Sequence, residues 1–321
     1  MVVIGFHASH EQIPPSALLR DVQGAEAAGF DAAMCSDHLS PWGVRQGESG
    51  YAWSWLAAAL ATTRMSFGVV TAPGQRYHPV VHAQAIATLG EMFPGRFWAA
   101  LGSGEAMNEH VTGDPWPEKD VRNARLLESA TVMRRLLAGE EVSHDGLIRV
   151  DRARVWSRPE VPPPFFAAAV STQTARWAGS WADGFATVAQ APDVLRDVID
   201  AYRGGGGTGP LVLQVHVSFA DTDAEAIALA KDQWPNGLVS PPEAWDFEQP
   251  EDFDRAVGDP DEAELRRAVL VDHDPRALAE RVAELVDIGF DRVYLHHVGR
   301  DQADFLAASE RSILPRLREL V

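Results

Sequence analysis

The chain has 321 residues, 46% of them apolar, and 46 Asp and Glu outnumber 28 Lys and Arg to give a formal net charge of −18. This composition can fill a large core, which excludes disorder as the main description, and dispersed acidic residues argue against a nucleic-acid partner. Since no run approaches the roughly 18 apolar residues of a membrane span, and no basic secretion signal opens the chain, we expect a cytoplasmic protein without a membrane partner.

Predicted strands and helices alternate along the whole chain. Eight short apolar runs predict strands, and segments with helical periodicity separate them. The strands start at Val2, Asp31, Met65, Phe97, Pro164, Gly184, Leu211 and Arg292. The helices span residues 14–29, 53–63, 82–92, 123–138, 172–181, 192–202, 223–233, 276–287 and 302–320.

Eight β-α units are the number of a closed barrel, so we predict one (β/α)8 TIM-barrel domain over residues 1–321. A doubly wound parallel sheet is the competing fold, and it is disfavoured because no GxGxxG motif follows the first strand. Residues 140–160 predict a small hairpin, and residues 235–263, rich in Pro, Asp and Glu, predict a long insertion. Such insertions are often lids or binding loops, but for residues 250–262 we favour a solvated surface loop.

Chemically useful side chains follow two of the predicted strands. The second strand ends in Asp37-His38, with Trp42 shortly after, and the fourth ends in the turn Gly102-Ser103-Gly104 before Glu105. Active-site groups of a barrel lie at these strand ends. His38 is a candidate acid or base because imidazole titrates near neutral pH, and Asp37 is placed to orient it. The two glycines allow a flat ligand to approach the backbone closely.

Several of these residues also have structural explanations. Taken alone, His38 is as well explained as a structural histidine, and Glu105 as a carboxylate favoured at a helix N-terminus. A serine hydrolase is excluded because Ser103 does not stand in a GxSxG elbow. The single cysteine, Cys35, is predicted to be a buried, inert thiol. No metal site is predicted, because the acidic and histidine residues near two strand ends match no standard ligand spacing. These residues are Glu105, Glu109, His110, His296 and His297.

Taken together, the motifs at the strand ends resemble those of the bacterial luciferase-like superfamily. The likeness extends to its branch of F420-dependent glucose-6-phosphate dehydrogenases and runs nearly from end to end of the chain. The motifs that carry it are Ser36-Asp37-His38, Pro41-Trp42, Thr71-Ala72-Pro73, Gly102 to Glu109 and Trp116-Pro117-Glu118. The resemblance implies a barrel that holds a flavin or deazaflavin ring at its C-terminal rim, and it implies a homodimer.

The resemblance also implies roles for individual residues. Asp37 would contact the cofactor, together with the turn Gly102-Ser103-Gly104. His38 and Trp42 would line the substrate side. Glu105 would lie near the ring as a proton donor.

Two further features of the site follow from the same resemblance. Glu11 matches a carboxylate that faces the substrate. Val69 and Val70 occupy the place of a non-proline cis peptide bond that presses against the cofactor ring in this family. Both valines are therefore expected at the cofactor.

Some positions depart from the family pattern. Ser171 and Thr172 stand where a Gly-Gly-Pro stretch usually receives the phosphate tail of the cofactor; their position at a helix N-terminus still suits a phosphate, although an ordinary N-cap is the alternative. Gln190 stands where a lysine for a sugar phosphate is expected, while Arg266 and Arg267 match another anion contact. The sequence therefore argues against glucose 6-phosphate as the substrate.

The leading hypothesis is an oxidoreductase that transfers a hydride between its cofactor and a small alcohol or carbonyl substrate. The cofactor is left open between F420 and FMN. One alternative is a luciferase-like monooxygenase that uses FMN. A non-catalytic flavin-binding barrel is a second alternative, and the joint presence of His38 and Glu105 argues against it.

Overall fold

The computed structural model describes residues 2–321. The strands are β1 (Val3–Ala8), β2 (Ala32–Ser36), β3 (Ser66–Thr71), β4 (Phe97–Leu101), β5 (Val142–Asp145), β6 (Arg149–Ala153), β7 (Phe165–Ala168), β8 (Gly184–Val188), β9 (Leu211–Phe219), β10 (Leu270–Asp272) and β11 (Arg292–His297). The α-helices are α1 (Pro15–Ala28), α2 (Ala52–Thr62), α3 (Pro79–Met92), α4 (Ala106–Glu109), α5 (Lys119–Leu137), α6 (Thr172–Ala178), α7 (Pro192–Gly204), α8 (Asp223–Gln233), α9 (Glu243–Asp246), α10 (Pro250–Val257), α11 (Glu262–Ala268), α12 (Pro275–Val286), α13 (Ala303–Ala308) and α14 (Leu314–Leu320).

Eight parallel strands within residues 2–321 close into a barrel, in the order β1, β2, β3, β4, β7, β8, β9 and β11. The ring closes because β11 pairs with β1, which places Val3 opposite Arg292. The predicted (β/α)8 barrel is therefore confirmed, and the doubly wound sheet is wrong because that fold would leave two open edges. Every barrel strand begins within two residues of its predicted start.

Three large aromatic side chains fill the amino-terminal half of the barrel interior. Tyr294, Trp98 and Phe166 are each at most 2% exposed, and the rings of Trp98 and Phe166 stack with their centroids 5.0 Å apart. Glycines directly across the strand ladder make room for two of them. A Cβ at Gly68 would lie 2.0 Å from the Trp98 ring, and one at Gly5 would lie 2.2 Å from the Tyr294 ring. The interior is therefore packed at this end, and space for a ligand remains at the carboxyl ends of the strands.

Two smaller predictions concern segments outside the barrel. Strands β5 and β6 pair antiparallel, which confirms the hairpin predicted for residues 140–160. The helix predicted for residues 302–320 is interrupted by a π-helical turn at Ser309–Ile313, so it forms two short helices instead of one. None of the helices in residues 2–321 combines the length and the apolar character needed to cross a bilayer.

The insertion at residues 235–263 is folded rather than extended. It contains a 3₁₀ turn at Pro235–Leu238, then α9, α10 and the first residues of α11. The solvated loop that we favoured for residues 250–262 is wrong in α10, since Phe253 is only 1% exposed and packs edge-on against Trp42 with ring centroids 5.3 Å apart. One apolar side chain among acidic neighbours docks this short helix, because it presents Phe253 to an aromatic surface.

Candidate active site

A cavity of about 480 Å³ opens at the carboxyl ends of the barrel strands. We call residues 235–253 the cover segment, because its turn and helices form one wall of this cavity. The structure brings most of the predicted site residues to the cavity wall. They are Glu11, Asp37, His38, Trp42, Val70, Gly102, Ser103, Gly104, Glu105, Gln190 and Arg267.

His38 lies between two carboxyl groups. Its Nδ1 is 3.2 Å from Oε1 of Glu11, and its Nε2 is 3.6 Å from Oε2 of Glu105. The ring also meets Trp42 edge-on, with centroids 4.8 Å apart. Glu11 is nearly buried, whereas 26% of the Glu105 side chain is exposed to the cavity. An imidazole and a carboxyl group that can both move protons therefore face each other at the edge of the cavity.

Burial decides the protonation of these three groups. Burial, followed by the positive charge of Arg76 and by His10, lowers the pKa of His38 to about 3, so burial outweighs the neighbouring carboxyl groups. Burial raises the pKa of Glu11 to about 7 and that of Glu105 to about 7. Near neutral pH, His38 is an uncharged base and Glu105 retains its proton in a large fraction of molecules. Glu105, whose pKa lies near neutral, therefore suits proton donation, and His38 presents an unprotonated ring nitrogen beside it.

Asp37 is held by the protein on both of its carboxylate oxygens. Its Oδ2 accepts hydrogen bonds from Trp53 Nε1 and Thr71 Oγ1, both at 2.9 Å, and its Oδ1 accepts one from the Tyr77 hydroxyl at 3.0 Å. Arg76 Nη2 lies 3.3 Å from the same Oδ1, and the Asp37 side chain is 0% exposed. The carboxylate predicted to contact a cofactor is therefore committed to an internal network, and the exposed part of Asp37 is its backbone.

Val69 and Val70 continue the regular ladder of β3, with Val69 opposite Cys35 and Ala99. The expected cis peptide bond between them is wrong, because the one cis bond within residues 2–321 joins Pro241 to Pro242. Side chains alternate along a strand, so Val70 faces the cavity whereas Val69 is buried among the outer core residues. Val69 therefore does not reach the proposed cofactor.

Ser171 and Thr172 do not line the cavity, although Val170 and Thr174 on either side of them do. Ser171 is the N-cap of α6, and its Oγ accepts a hydrogen bond from the Thr174 backbone N–H at 3.4 Å. Thr172 is exposed on the surface. The ordinary N-cap, weighed as the alternative, is what the structure shows for Ser171, because its side chain folds back over the first turn of the helix.

Sequence reasoning missed Asn108, which lies one helical turn after Glu105. Its Nδ2 donates a hydrogen bond to Glu105 Oε2 at 3.2 Å, and its Oδ1 accepts one from the Leu39 backbone N–H at 2.8 Å. Side chains three residues apart lie on one face of a helix, so the spacing of Glu105 and Asn108 could have predicted this contact. Asn108 thus joins the loop that carries His38 to the carboxyl group that faces it.

Three histidines meet at the inner end of the cavity, and sequence reasoning missed that they come together, although it placed His296 at a strand end. His7, His216 and His296 come from the carboxyl ends of β1, β9 and β11, and the rings of His7 and His296 stack with centroids 4.3 Å apart. Gln214 Nε2 lies 3.2 Å from His296 Nδ1. Burial lowers the pKa of all three imidazoles, so this end of the cavity is polar but uncharged. Gln214 and His216 alternate along β9, which is the pattern of inward-facing positions.

The cover segment is tied to the loop between β4 and α5. Asp246 Oδ1 accepts a hydrogen bond from Trp116 Nε1 at 3.0 Å and lies 3.4 Å from Arg122 Nη1. Lys119 Nζ lies 4.3 Å from the centroid of the Trp245 ring and donates a hydrogen bond to Ser103 Oγ at 2.9 Å. These contacts hold the cover segment over the turn that leads to Glu105.

The remaining predicted positions differ in their environment. Gln190 Nε2 donates a hydrogen bond to the Val170 carbonyl at 3.3 Å, and Arg267 is exposed where it borders the cavity. Arg266 instead faces away from Arg267 toward Asp223 and Glu262, with which it forms ion pairs. At these positions the cavity is therefore lined by the neutral amide of Gln190 and the exposed guanidinium of Arg267.

Replacement of Glu11 by Gln is expected to stabilise the protein in alkaline buffer. Because burial raises the Glu11 pKa from 4.5 to about 7, the folded state binds this proton more tightly than the unfolded state. The contribution of Glu11 to the free energy of unfolding is therefore largest below its pKa in the unfolded chain. It falls by about 3 kcal/mol in total as the pH rises through its pKa in the folded protein. Glu11→Gln should remove that loss.

The measurement is the free energy of unfolding in urea at about pH 5 and about pH 8. The difference between the Glu11→Gln protein and the natural protein should be larger at the higher pH. Glu91→Gln, at an exposed position on α3, is the matched control and should change neither value. An equal effect of Glu11→Gln at both pH values would contradict the prediction.

Comparison with known proteins gives consistent matches over the whole chain. A family model described as luciferase-like monooxygenase matches residues 1–292. A protein from Nakamurella multipartita named F420-dependent glucose-6-phosphate dehydrogenase is 37% identical over 332 residues, covering 99% of this chain and 97% of that protein. A protein of the same name from Beutenbergia cavernae is 37% identical over 331 residues and covers 99% and 98%.

The same comparison extends to solved structures. The structure of an F420-dependent secondary alcohol dehydrogenase in complex with an F420-acetone adduct superimposes with a TM-score of 0.91 at 27% sequence identity. The match covers 99% of each chain. Both the barrel and the segments outside it are therefore shared with that structure.

Proposed function

The chain belongs to the luciferase-like monooxygenase family, and on that premise we propose that it is an oxidoreductase that transfers a hydride between F420 and a small alcohol or carbonyl compound. The observation that carries the proposal is the position of His38, an uncharged base whose Nε2 lies 3.6 Å from the carboxyl group of Glu105. Oxidation of an alcohol needs a base for the hydroxyl proton, and reduction of the cofactor needs a proton donor.

F420 is favoured over FMN by the names of the relatives, since both of the enzymes that are 37% identical and the solved alcohol dehydrogenase are F420-dependent. The cavity fits a flat ring of this kind. Small residues line one wall and leave space above the backbone, as a planar ligand requires. They are Ala72, Gly102, Gly104, Ala168, Ala169 and Ala189.

A bound deazaflavin would supply the hydride chemistry, and the side chains would supply orientation and proton transfer. We assign the role of base to His38 Nε2, which would take the hydroxyl proton of the alcohol. Glu11 faces Nδ1 of the same ring at 3.2 Å and would stabilise the imidazolium that results. Glu105 would give its carboxyl proton to the reduced cofactor, and Trp42 would support the imidazole from its edge.

For the substrate, we propose a small alcohol or ketone rather than a sugar phosphate. Phosphate groups are normally held by several cationic side chains or by helix N-termini. Gln190 offers a neutral amide, and Lys119 is already engaged by Ser103 and Trp245. Among the predicted contacts, Arg267 remains as an exposed cation at the cavity. The expected homodimer stays a prediction.

The test is a titration of the purified protein with F420 and, separately, with FMN, followed by an assay for F420 reduction. We expect F420 to bind at micromolar concentration and its absorption to fall in the presence of secondary alcohols, with glucose 6-phosphate giving a weaker response. Binding of FMN alone, with oxygen consumption by reduced FMN and substrate, would instead identify a monooxygenase. Absence of binding by either compound would overturn the proposal.

A further inference from the structure

Asn108 contacts both sides of the acid–base pair. Its Oδ1 accepts the Leu39 backbone N–H at 2.8 Å, directly after His38 in the chain, and its Nδ2 donates to Oε2 of Glu105 at 3.2 Å. Since an amide oxygen only accepts and an amide nitrogen only donates, the Leu39 contact fixes which end of Asn108 meets Glu105. Asn108 is only 4% exposed, so its amide group is held largely by these two protein contacts.

This arrangement distinguishes the two oxygens of Glu105. Oε2 is the oxygen that accepts from Asn108, and it is also the oxygen that lies 3.6 Å from His38 Nε2. A protonated carboxyl group has one O–H and one oxygen that only accepts. An oxygen that already accepts a hydrogen bond from an amide is the poorer position for the proton, so the proton of Glu105 belongs on Oε1.

We infer that Asn108 is a positioning residue that keeps the proton of Glu105 on Oε1, away from His38, so that a free base and a protonated acid coexist side by side. The inference rests on the proposed function, in which the two groups have opposite tasks. A proton on Oε2 would lie on the oxygen next to Nε2, from which it could transfer to the lone pair that His38 needs for the substrate hydroxyl. Asn108 thus prevents direct exchange between base and acid.

The other titratable groups around Glu105 do not distinguish its two oxygens in this way. Glu11 lies on the far side of His38, Glu109 shares α4, and Lys119 stands at the start of α5, bonded to Ser103. Glu11 and Glu109 raise the Glu105 pKa and Lys119 lowers it, after the larger effect of burial. Their charges set how readily Glu105 ionises, whereas Asn108 touches one named oxygen.

The test uses nuclear magnetic resonance of the protein without cofactor or substrate. In natural protein labelled with ¹⁵N-histidine, His38 Nε2 should keep the chemical shift of an unprotonated nitrogen without a hydrogen-bond donor, from below to above the pKa of Glu105. A shift that shows hydrogen bonding and disappears as Glu105 ionises would overturn the inference. This measurement needs no variant, so a folding defect cannot obscure it.

The variant Asn108→Asp separates this role from a merely structural one. Asp keeps an acceptor for the Leu39 N–H but loses the donor to Glu105. We expect the Glu105 pKa, read in ¹³C-glutamate-labelled protein, to rise by about one unit or more, and the His38 Nε2 signal to acquire the shift of a hydrogen-bonded nitrogen. Glu105→Gln identifies the Glu105 signal. Unchanged signals in Asn108→Asp would mean that Asn108 only holds the loop.

Kinetics add a second readout, and a control completes the design. With F420 and a secondary alcohol, Asn108→Asp should lower kcat about tenfold or more with little change in KM, and it should shift the pH profile in the same direction as the Glu105 pKa. Gln84→Glu, the same amide-to-acid change at an exposed position of α3 outside the cavity wall, should alter neither signal nor rate. If no variant and no natural protein reduces F420, the proposed function fails, while the resonance data still decide the role of Asn108.

Discussion

The variants His38→Ala and Glu105→Gln should each lose about a hundredfold or more in kcat while they still bind the cofactor at micromolar concentration. His38 Nε2 is the base beside the cavity, and Glu105 is the carboxyl group at 3.6 Å from it. Removal of either group leaves the small-residue wall that fits the ring unchanged. Binding is measured by absorption titration and turnover by loss of F420 absorbance in the presence of a secondary alcohol.

Two controls match these variants by residue type. His144→Ala changes a histidine of the β5–β6 hairpin, which pairs with Glu128 far from the cavity wall, and Glu91→Gln changes an exposed carboxylate. Both control variants should have the same kcat as the natural protein. Unchanged kcat in His38→Ala and in Glu105→Gln would remove the acid–base assignment, and loss of cofactor binding in either would show that the residue holds the ring instead.

The variant Asp37→Ala is expected to lose about 3 to 5 kcal/mol of unfolding free energy. It removes the acceptor of three hydrogen bonds, from Trp53, Thr71 and Tyr77. It also leaves the guanidinium of Arg76, which is only 11% exposed, without its carboxylate. A buried cation that loses its partner is among the largest single causes of destabilisation. The measurement is urea unfolding near neutral pH.

The control for Asp37 is Asp145→Ala, which breaks an exposed pair with Arg149 on the hairpin. Exposed ion pairs contribute little, so no measurable change is expected. If Asp37→Ala unfolds at the same urea concentration as the natural protein but binds F420 much more weakly, Asp37 contacts the cofactor, as the family resemblance implied. The two outcomes therefore decide between an internal anchor and a ligand contact.

The barrel was predictable because its signal is repeated: each strand is a short apolar run buried on both faces, and eight such runs recur along the chain. His38 and Glu105 were predictable for the same reason, since both follow directly on a buried strand. By contrast, Ser171 and Val69 were wrongly expected at the cofactor, because a short sequence pattern does not show which way a side chain points. A hydroxyl at a helix start can fold back on its own backbone, as Ser171 does, and adjacent strand residues face opposite sides, as Val69 and Val70 do.

Other features lay beyond single-sequence reasoning because they join distant parts of the chain. The carboxylate of Asp37 accepts a hydrogen bond from Tyr77, and the imidazole of His7 stacks on His296. No local pattern encodes such pairs. The docking of Phe253 was missed because acidic neighbours suggested a solvated segment, and the burial of one side chain depends on the aromatic surface that Trp42 provides.

The hydrogen bond between Trp116 and Asp246 joins residues that are 130 positions apart in the sequence. The two sides of the cavity that it connects therefore come from different parts of the chain. His38, Glu105 and Asn108 all precede α5 in the chain, whereas the cover segment follows α8. Substitutions in the cover segment can therefore change one wall of the cavity while the groups that handle protons stay in place, provided that Asp246 keeps its bond to Trp116 and Phe253 keeps its contact with Trp42.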